Sequence, residues 1–95
     1  MAGDDVVLRE LASRYVWWKS PEQALERRSH WLCQLLQLGT AEDVRSARRI
    51  LGDEALREAL RSAPPGVLDA RSWSYWHLVL FGSPVPPLPR RPLPP

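Results

Sequence analysis

Between Ser20 and Gly82 the chain is broken at short intervals by residues that start or stop helices, and this punctuation limits the fold more than any other feature. Ser20-Pro21-Glu22-Gln23 combines a capping serine, a proline suited to the first helical position and a glutamine placed to bond back to the cap. The helix it opens is expected to run to Leu38 and to stop at Gly39 in a left-handed conformation. Its apolar positions are Ala24, Leu25, Trp31, Leu32, Leu35, Leu36 and Leu38. Thr40 is placed to cap the next helix, with Glu42 and Asp43 in the first turn, where the helix dipole favours acids. Val44, Ala47, Ile50 and Leu51 form its apolar side, and Gly52 ends it. Asp53 is the expected cap of a short helix with Ala55, Leu56, Ala59 and Leu60 inward. After the break at Ala63-Pro64-Pro65-Gly66, Asp69 or Ser72 caps a last helix. That helix carries Trp73, Trp76, His77, Leu80 and Phe81 at three- and four-residue steps, and Gly82 is its expected end.

Upstream, Asp4 or Asp5 is the expected cap of a first helix bearing Val7, Leu8, Leu11, Ala12 and Tyr15. It closes between Tyr15 and Trp18, because Ser20 precedes a proline and is driven out of the helical region. No segment shows sustained strand alternation. The reading is all-α: a small bundle of four to five helices over residues 1–82, then a Pro-rich extended C-terminal tail over residues 83–95. Seven of the twelve residues from Pro84 to Pro95 are proline, which excludes helix and favours polyproline II.

A chain of 95 residues is the size of one domain with one modest core. Five Trp in that length supply large apolar surfaces, each able to organise a core or an interface. The net charge of +2 is too small to signal nucleic-acid binding by itself. Twelve of the thirteen cations are Arg, the base suited to bidentate contacts with carboxylate or phosphate. Cys33 is the sole cysteine, so an internal disulfide is excluded and a reducing, cytoplasmic setting is expected. Met1 to Glu10 is acidic without a long apolar run, unlike a signal peptide, and no stretch reaches the length of a membrane span.

The sequence offers no constellation for catalysis. The acid pairs Asp4/Asp5, Glu42/Asp43 and Asp53/Glu54 all fall at expected helix starts, where capping and dipole compensation explain them. His30 and Cys33 stand three apart on one helix and could share a metal with His77, but no second cysteine completes a set. There is no glycine-rich phosphate loop and no recognisable nucleophile signature. The expectation is a protein that is no enzyme and takes no cofactor and no metal.

Binding features are more numerous. Trp17 and Trp18 are adjacent at a helix end, so one is expected to pack inward and the other to stay near the surface. Arg45, Arg48 and Arg49 share a side of one helix, and Arg57 and Arg61 repeat the pattern on the next. Arg48→Glu is expected to spare folding and weaken a complex. Helix–glycine–helix connections at Gly39 and Gly52 fit a helix-turn-helix motif, hence the alternative of a DNA-binding regulator that controls its own operon. Acids in the first turns of both candidate recognition helices oppose that alternative, because phosphate contacts concentrate there. In the tail, Pro86-Pro87-Leu88-Pro89-Arg90-Arg91 fits a groove-binding polyproline pattern, with Leu88, Arg90 and Arg91 as candidate contacts.

Several of these segments resemble a family of short helical bacterial proteins encoded beside nucleotidyltransferase toxins of the abortive-infection type, and regarded as their antitoxins. The resemblance rests on Val16-Trp17-Trp18, on Leu38-Gly39-Thr40-Ala41-Glu42-Asp43-Val44-Arg45, on the short helix after Gly52, and on Trp73 and Trp76 leading to Leu78-Val79-Leu80-Phe81-Gly82 and prolines. It covers roughly residues 15 to 89; the extension beyond Arg91 has no counterpart in it. It implies a protein partner, a toxin of nucleotidyltransferase type held inactive in a complex, and it supplies no catalytic residues to carry over.

Overall fold

The computed structural model describes residues 2–82 and 84–89. Those residues form six helices and no strand: α1 (Ala2–Tyr15), α2 (Pro21–Glu26), α3 (Arg28–Leu38), α4 (Ala41–Leu51), α5 (Asp53–Arg61) and α6 (Ala70–Phe81). No helix among them is long and apolar enough to cross a membrane.

The sixth helix arises because the segment from Pro21 to Leu38 is two helices and not one. It breaks at Arg27, whose backbone sits at φ −106° and ψ 67°. The Arg27 amide bonds back to the Ala24 carbonyl at 3.2 Å, a tighter turn than a helix makes. Nothing in the local propensities demands this break. It re-aims the chain so that Trp31, Leu32, Cys33, Leu35 and Leu36 all enter the core from α3, and that burial outweighs helix continuity. Leu38, expected on the apolar face, is 65% exposed at the helix end.

Other ends follow the sequence closely. Ser20 and Gln23 make the reciprocal capping box. Thr40 accepts from the Asp43 amide at 3.1 Å, and Asp69 from the Ser72 amide at 2.7 Å. Gly82 closes α6 in the left-handed region at φ 64°. Gly39, by contrast, is extended at φ −75°, so it is glycine for another reason. A Cβ there would press on the Leu35 carbonyl oxygen and stand 2.8 Å from Leu35 Cδ1. Asp4 and Asp5 lie inside the first turn of α1 and not at its cap. Asp53 is also inside its helix: Gly52, at φ 85°, occupies the cap position without a side-chain bond. Asp53 is engaged elsewhere, taking both Arg48 Nε at 2.7 Å and Arg48 Nη2 at 2.9 Å.

α3 touches every other helix. Around it Leu11, Ala12, Tyr15 and Val16 enter from the α1 end, Val44 and Ala47 from α4, Leu56, Ala59 and Leu60 from α5, and Trp73 and Leu80 from α6. Polar side chains then close helix ends that sequence spacing does not pair. Trp76 Nε1 donates to the Leu36 carbonyl at 2.9 Å, and Arg57 Nε to the Leu80 carbonyl at 2.7 Å. Each carbonyl lies in a last turn that lacks helical partners. Residues 84–89 run without helix or strand along α6, where Trp73 Nε1 donates to the Pro86 carbonyl at 2.8 Å. Val85 and Leu88 rest against the core.

The least expected polar group is Asp43. It is a first-turn acid of α4, as expected, and it is also buried, with 12% of its side chain exposed. The Tyr15 hydroxyl donates to Asp43 Oδ2, and Arg14 Nη1 donates to the same oxygen at 2.7 Å. These two bonds, the phenol's first, hold the carboxyl below the usual carboxylate range against the opposing effect of burial. A depressed folded-state value means that the contribution to stability is present above the unfolded value near 3.9 and is lost as pH falls through the lower folded value.

Asp43→Asn should therefore destabilise the protein by about 1–3 kcal/mol at neutral pH and flatten the loss of stability below about pH 4. Urea denaturation at several pH values checks both. Trp73→Ala, at a position only 5% exposed, should cost about 3–5 kcal/mol; a midpoint close to wild type would contradict its place in the core.

Candidate partner-binding surface

The α1–α2 connection builds the most exposed aromatic feature. Val16 ends the buried stripe of α1 and is fully enclosed, so the chain has already placed its inward residue when it reaches the two indoles. Trp17 is 77% exposed and Trp18 50%. The expectation that one of them packs inward is corrected: neither does. Their rings meet edge to face at 5.6 Å, and Trp18 meets His30 in the same way at 5.9 Å. Burial, then the nearby Lys19 and Arg27 charges, lower the His30 pKa below its ordinary value. The imidazole therefore meets Trp18 mainly as a neutral ring at physiological pH.

The arginine stripe on α4 is divided by its neighbours. Arg49 turns toward α1 and stands 3.9 Å from Asp4. Arg48 is the latch to Asp53 across the Gly52 hinge. Arg48→Glu would therefore place two carboxylates together at the α4–α5 turn, and the expectation that it spares folding is revised. Arg45 is exposed and makes no ion pair among the described residues. On α5, Arg57 bridges Glu54 at 3.2 Å, and Arg61 bridges Glu54 at 2.8 Å and also Glu58. These pairs offset much of the positive charge that a phosphate backbone would require.

In the tail, Leu88 is partly buried against its own domain, which limits what it offers a partner. Arg90 and Arg91 lie outside the described residues. The described candidates thus occupy three separate places: the Trp turn, the α4 face and the proline segment 84–89. A cavity of about 470 Å³ lies between that segment and α6, lined by Trp73, His77 and Phe81 on one side and by Pro84, Pro86 and Pro87 on the other. His77 is buried between the Trp73 ring at 4.0 Å and the Phe81 ring at 5.3 Å. Its Nδ1 donates to the Trp73 carbonyl at 2.8 Å, so its hydrogen bonding is internal to α6.

Sequence reasoning missed a further exposed set. Tyr75, Leu78 and Val79 are 57%, 58% and 42% exposed. They fall at i, i+3 and i+4, off the stripe of Trp73, His77 and Leu80 that faces inward. The signal was present as a helix apolar on more than one side, a pattern that marks a second buried or docking face. Beside them a groove of about 350 Å³ runs between α4 and α6, bounded by Val44, Arg45 and Arg48 on one wall and by Tyr75, Trp76 and Val79 on the other.

Cys33 is wholly buried and its Sγ contacts the Ala59 carbonyl at 3.4 Å. His30 is at the surface beside Trp18, and His77 lies on α6, so the three are not gathered. No group of three or more metal-ligating side chains occurs among the described residues. No family model, curated protein or solved structure matches the chain.

Burial pushes the Cys33 thiol up to about 12, so the reactive thiolate is scarce at neutral pH. Native protein should resist iodoacetamide at pH 8 and label readily in denaturant, as followed by intact mass. Rapid labelling of the folded protein would show that α3 opens at Cys33.

Proposed function

We propose that this chain is an antitoxin-like binding protein that neutralises a nucleotidyltransferase-type toxin by forming a complex with it. The observation that carries the reading is the pair Trp17 and Trp18, standing out at a helix junction with 77% and 50% of their surfaces in water. Two indoles in edge-to-face contact offer a large apolar surface with few rotatable bonds to fix on binding. Tryptophan is also among the residues most enriched where interfaces concentrate their energy. A partner that covers both recovers apolar burial that the monomer forgoes. The class of partner comes from the resemblance of the Trp turn, the Gly39–Arg45 segment and the late Trp pair to antitoxins of that kind.

The role needs no chemistry from this chain, only a tight and specific fit. A protein partner is favoured over DNA because Arg48, Arg57 and Arg61 are each engaged by carboxylates of their own chain. Glu42, exposed in the first turn of α4, also opposes a phosphate backbone there.

The reading requires a nucleotidyltransferase-type protein encoded beside this chain, and co-expression with that neighbour should yield a complex that survives size-exclusion chromatography at micromolar concentration. It should also relieve the growth arrest that the partner causes alone. Two proteins that elute apart, with growth arrest intact, would refute the reading. Trp17→Ala combined with Trp18→Ala should leave the melting temperature within a few degrees, since exposed sites usually cost about 0.5 kcal/mol or less. The same pair should weaken the complex by about 30-fold or more, the effect of a loss of about 2 kcal/mol.

A further inference from the structure

α4 and α6 both rest on α3, but their backbones do not meet. Between them lies the 350 Å³ groove, with Val44, Arg45 and Ala41 on the α4 side and Tyr75, Trp76 and Val79 on the α6 side. We propose that this groove is the docking site for an amphipathic helix of the protein partner, one that carries acidic residues along the edge of its apolar stripe. The inference rests on the protein-binding reading above and adds to it the surface and the kind of segment recognised.

Three observations converge on that occupant. The first is shape. Two helices set apart on a third leave a channel along their length, and a further helix can lay its ridge there as helices do in bundles. The second is the apolar content. Of the groove's lining, Val79 is 42% exposed and Tyr75 57%, with Val44 and Trp76 beneath them. α6 already buries Trp73, His77 and Leu80 against its own core, so this second stripe has no role in holding the monomer together. The third is charge. The groove lining contains two arginines and no carboxylate. Asp53 already takes up the Arg48 charge, which leaves Arg45 as the cation offered to an incoming group. Arg71, exposed one helical turn before Tyr75, adds positive charge along the same side of α6.

The same charges disfavour a second copy of this chain as occupant. A two-fold contact on this face would set the patch against itself and bring like-charged Arg45 and Arg71 together without a carboxylate in the groove to offset them. An acidic helix meets the opposite condition: its carboxylates reach Arg45 while its apolar residues cover Val79 and Tyr75.

The test uses the full chain and the purified product of the neighbouring gene that the antitoxin reading requires, with affinity measured by calorimetry at low and high salt. Wild type should bind. Val79→Arg should weaken binding by about 50-fold or more, and Arg45→Glu by about tenfold at low salt, with the latter gap narrowing as salt rises. Circular dichroism establishes that each variant is folded, and Tyr75→Arg, at another exposed lining position, serves if Val79→Arg is not. Hydrogen exchange on the partner should protect one helix rich in Asp and Glu in the complex with wild type and not with Val79→Arg. If wild type binds and these variants bind equally well, the groove proposal is overturned while the antitoxin reading stands. If wild type does not bind, both fall. Sedimentation of the chain alone supplies the remaining arm: a micromolar dimer abolished by Val79→Arg would make a second copy the occupant and overturn the proposal.

Discussion

The whole structure depends on one short helix being buried on most of its circumference. α3 gives Trp31, Leu32, Cys33, Leu35 and Leu36 to the interior, and these five do not lie on a single stripe. Each of the other five helices packs against it. A chain of this length cannot enclose two cores, so a central helix that every neighbour shares is the economical way to bury enough apolar area. The break at Arg27 follows from this demand. Continuing α2 straight into α3 would hold the two segments to one axis, whereas the kink lets α2 lean on α1 while α3 crosses beneath α4, α5 and α6.

A hub of that kind brings helix ends together at its edges, where their last carbonyls and first amides need partners. The molecule answers with long-range polar contacts. Trp76 reaches the end of α3, Arg57 the end of α6, and Gln37 both donates to and accepts from Asp69 at the start of α6. Asp43 is the most demanding of these groups, since a buried carboxylate without donors would be costly. Tyr15 and Arg14 supply the donors from α1, and the Thr40 cap fixes the turn that presents Asp43 to them. No buried polar side-chain atom is left without a partner among the described residues.

The aromatic residues divide by these same demands into two kinds of work. Trp31 and Trp73 fill the interior, and Trp76 spans interior and surface with its indole nitrogen bonded. Trp17, Trp18 and Tyr75 stay outside, together with Leu78 and Val79. The core is complete without them, which is the physical basis for the proposal that a partner covers them. The proline segment is not a separate appendage as far as it is described: Val85, Pro86 and Leu88 are drawn onto α6 by packing and by the Trp73 bond.

The sequence by itself determined the helical class and most helix ends, because caps such as Ser20, Thr40, Asp69 and Gly82 act on backbone groups within a turn of themselves. It also determined which stripes of α4 and α5 face inward, through periodic Val44, Ala47, Leu56, Ala59 and Leu60. Only the tertiary structure decided the break at Arg27, the exposure of both Trp17 and Trp18, and the division of Arg45, Arg48 and Arg49 among three surroundings. It likewise moved Asp53 from the expected cap to a partner of Arg48, and gave Asp43, a first-turn acid as expected, the further partners Arg14 and Tyr15. The reason is range. Capping and periodicity are settled by residues three or four apart, while burial and ion pairing depend on which distant segment arrives opposite, and a linear pattern does not state that.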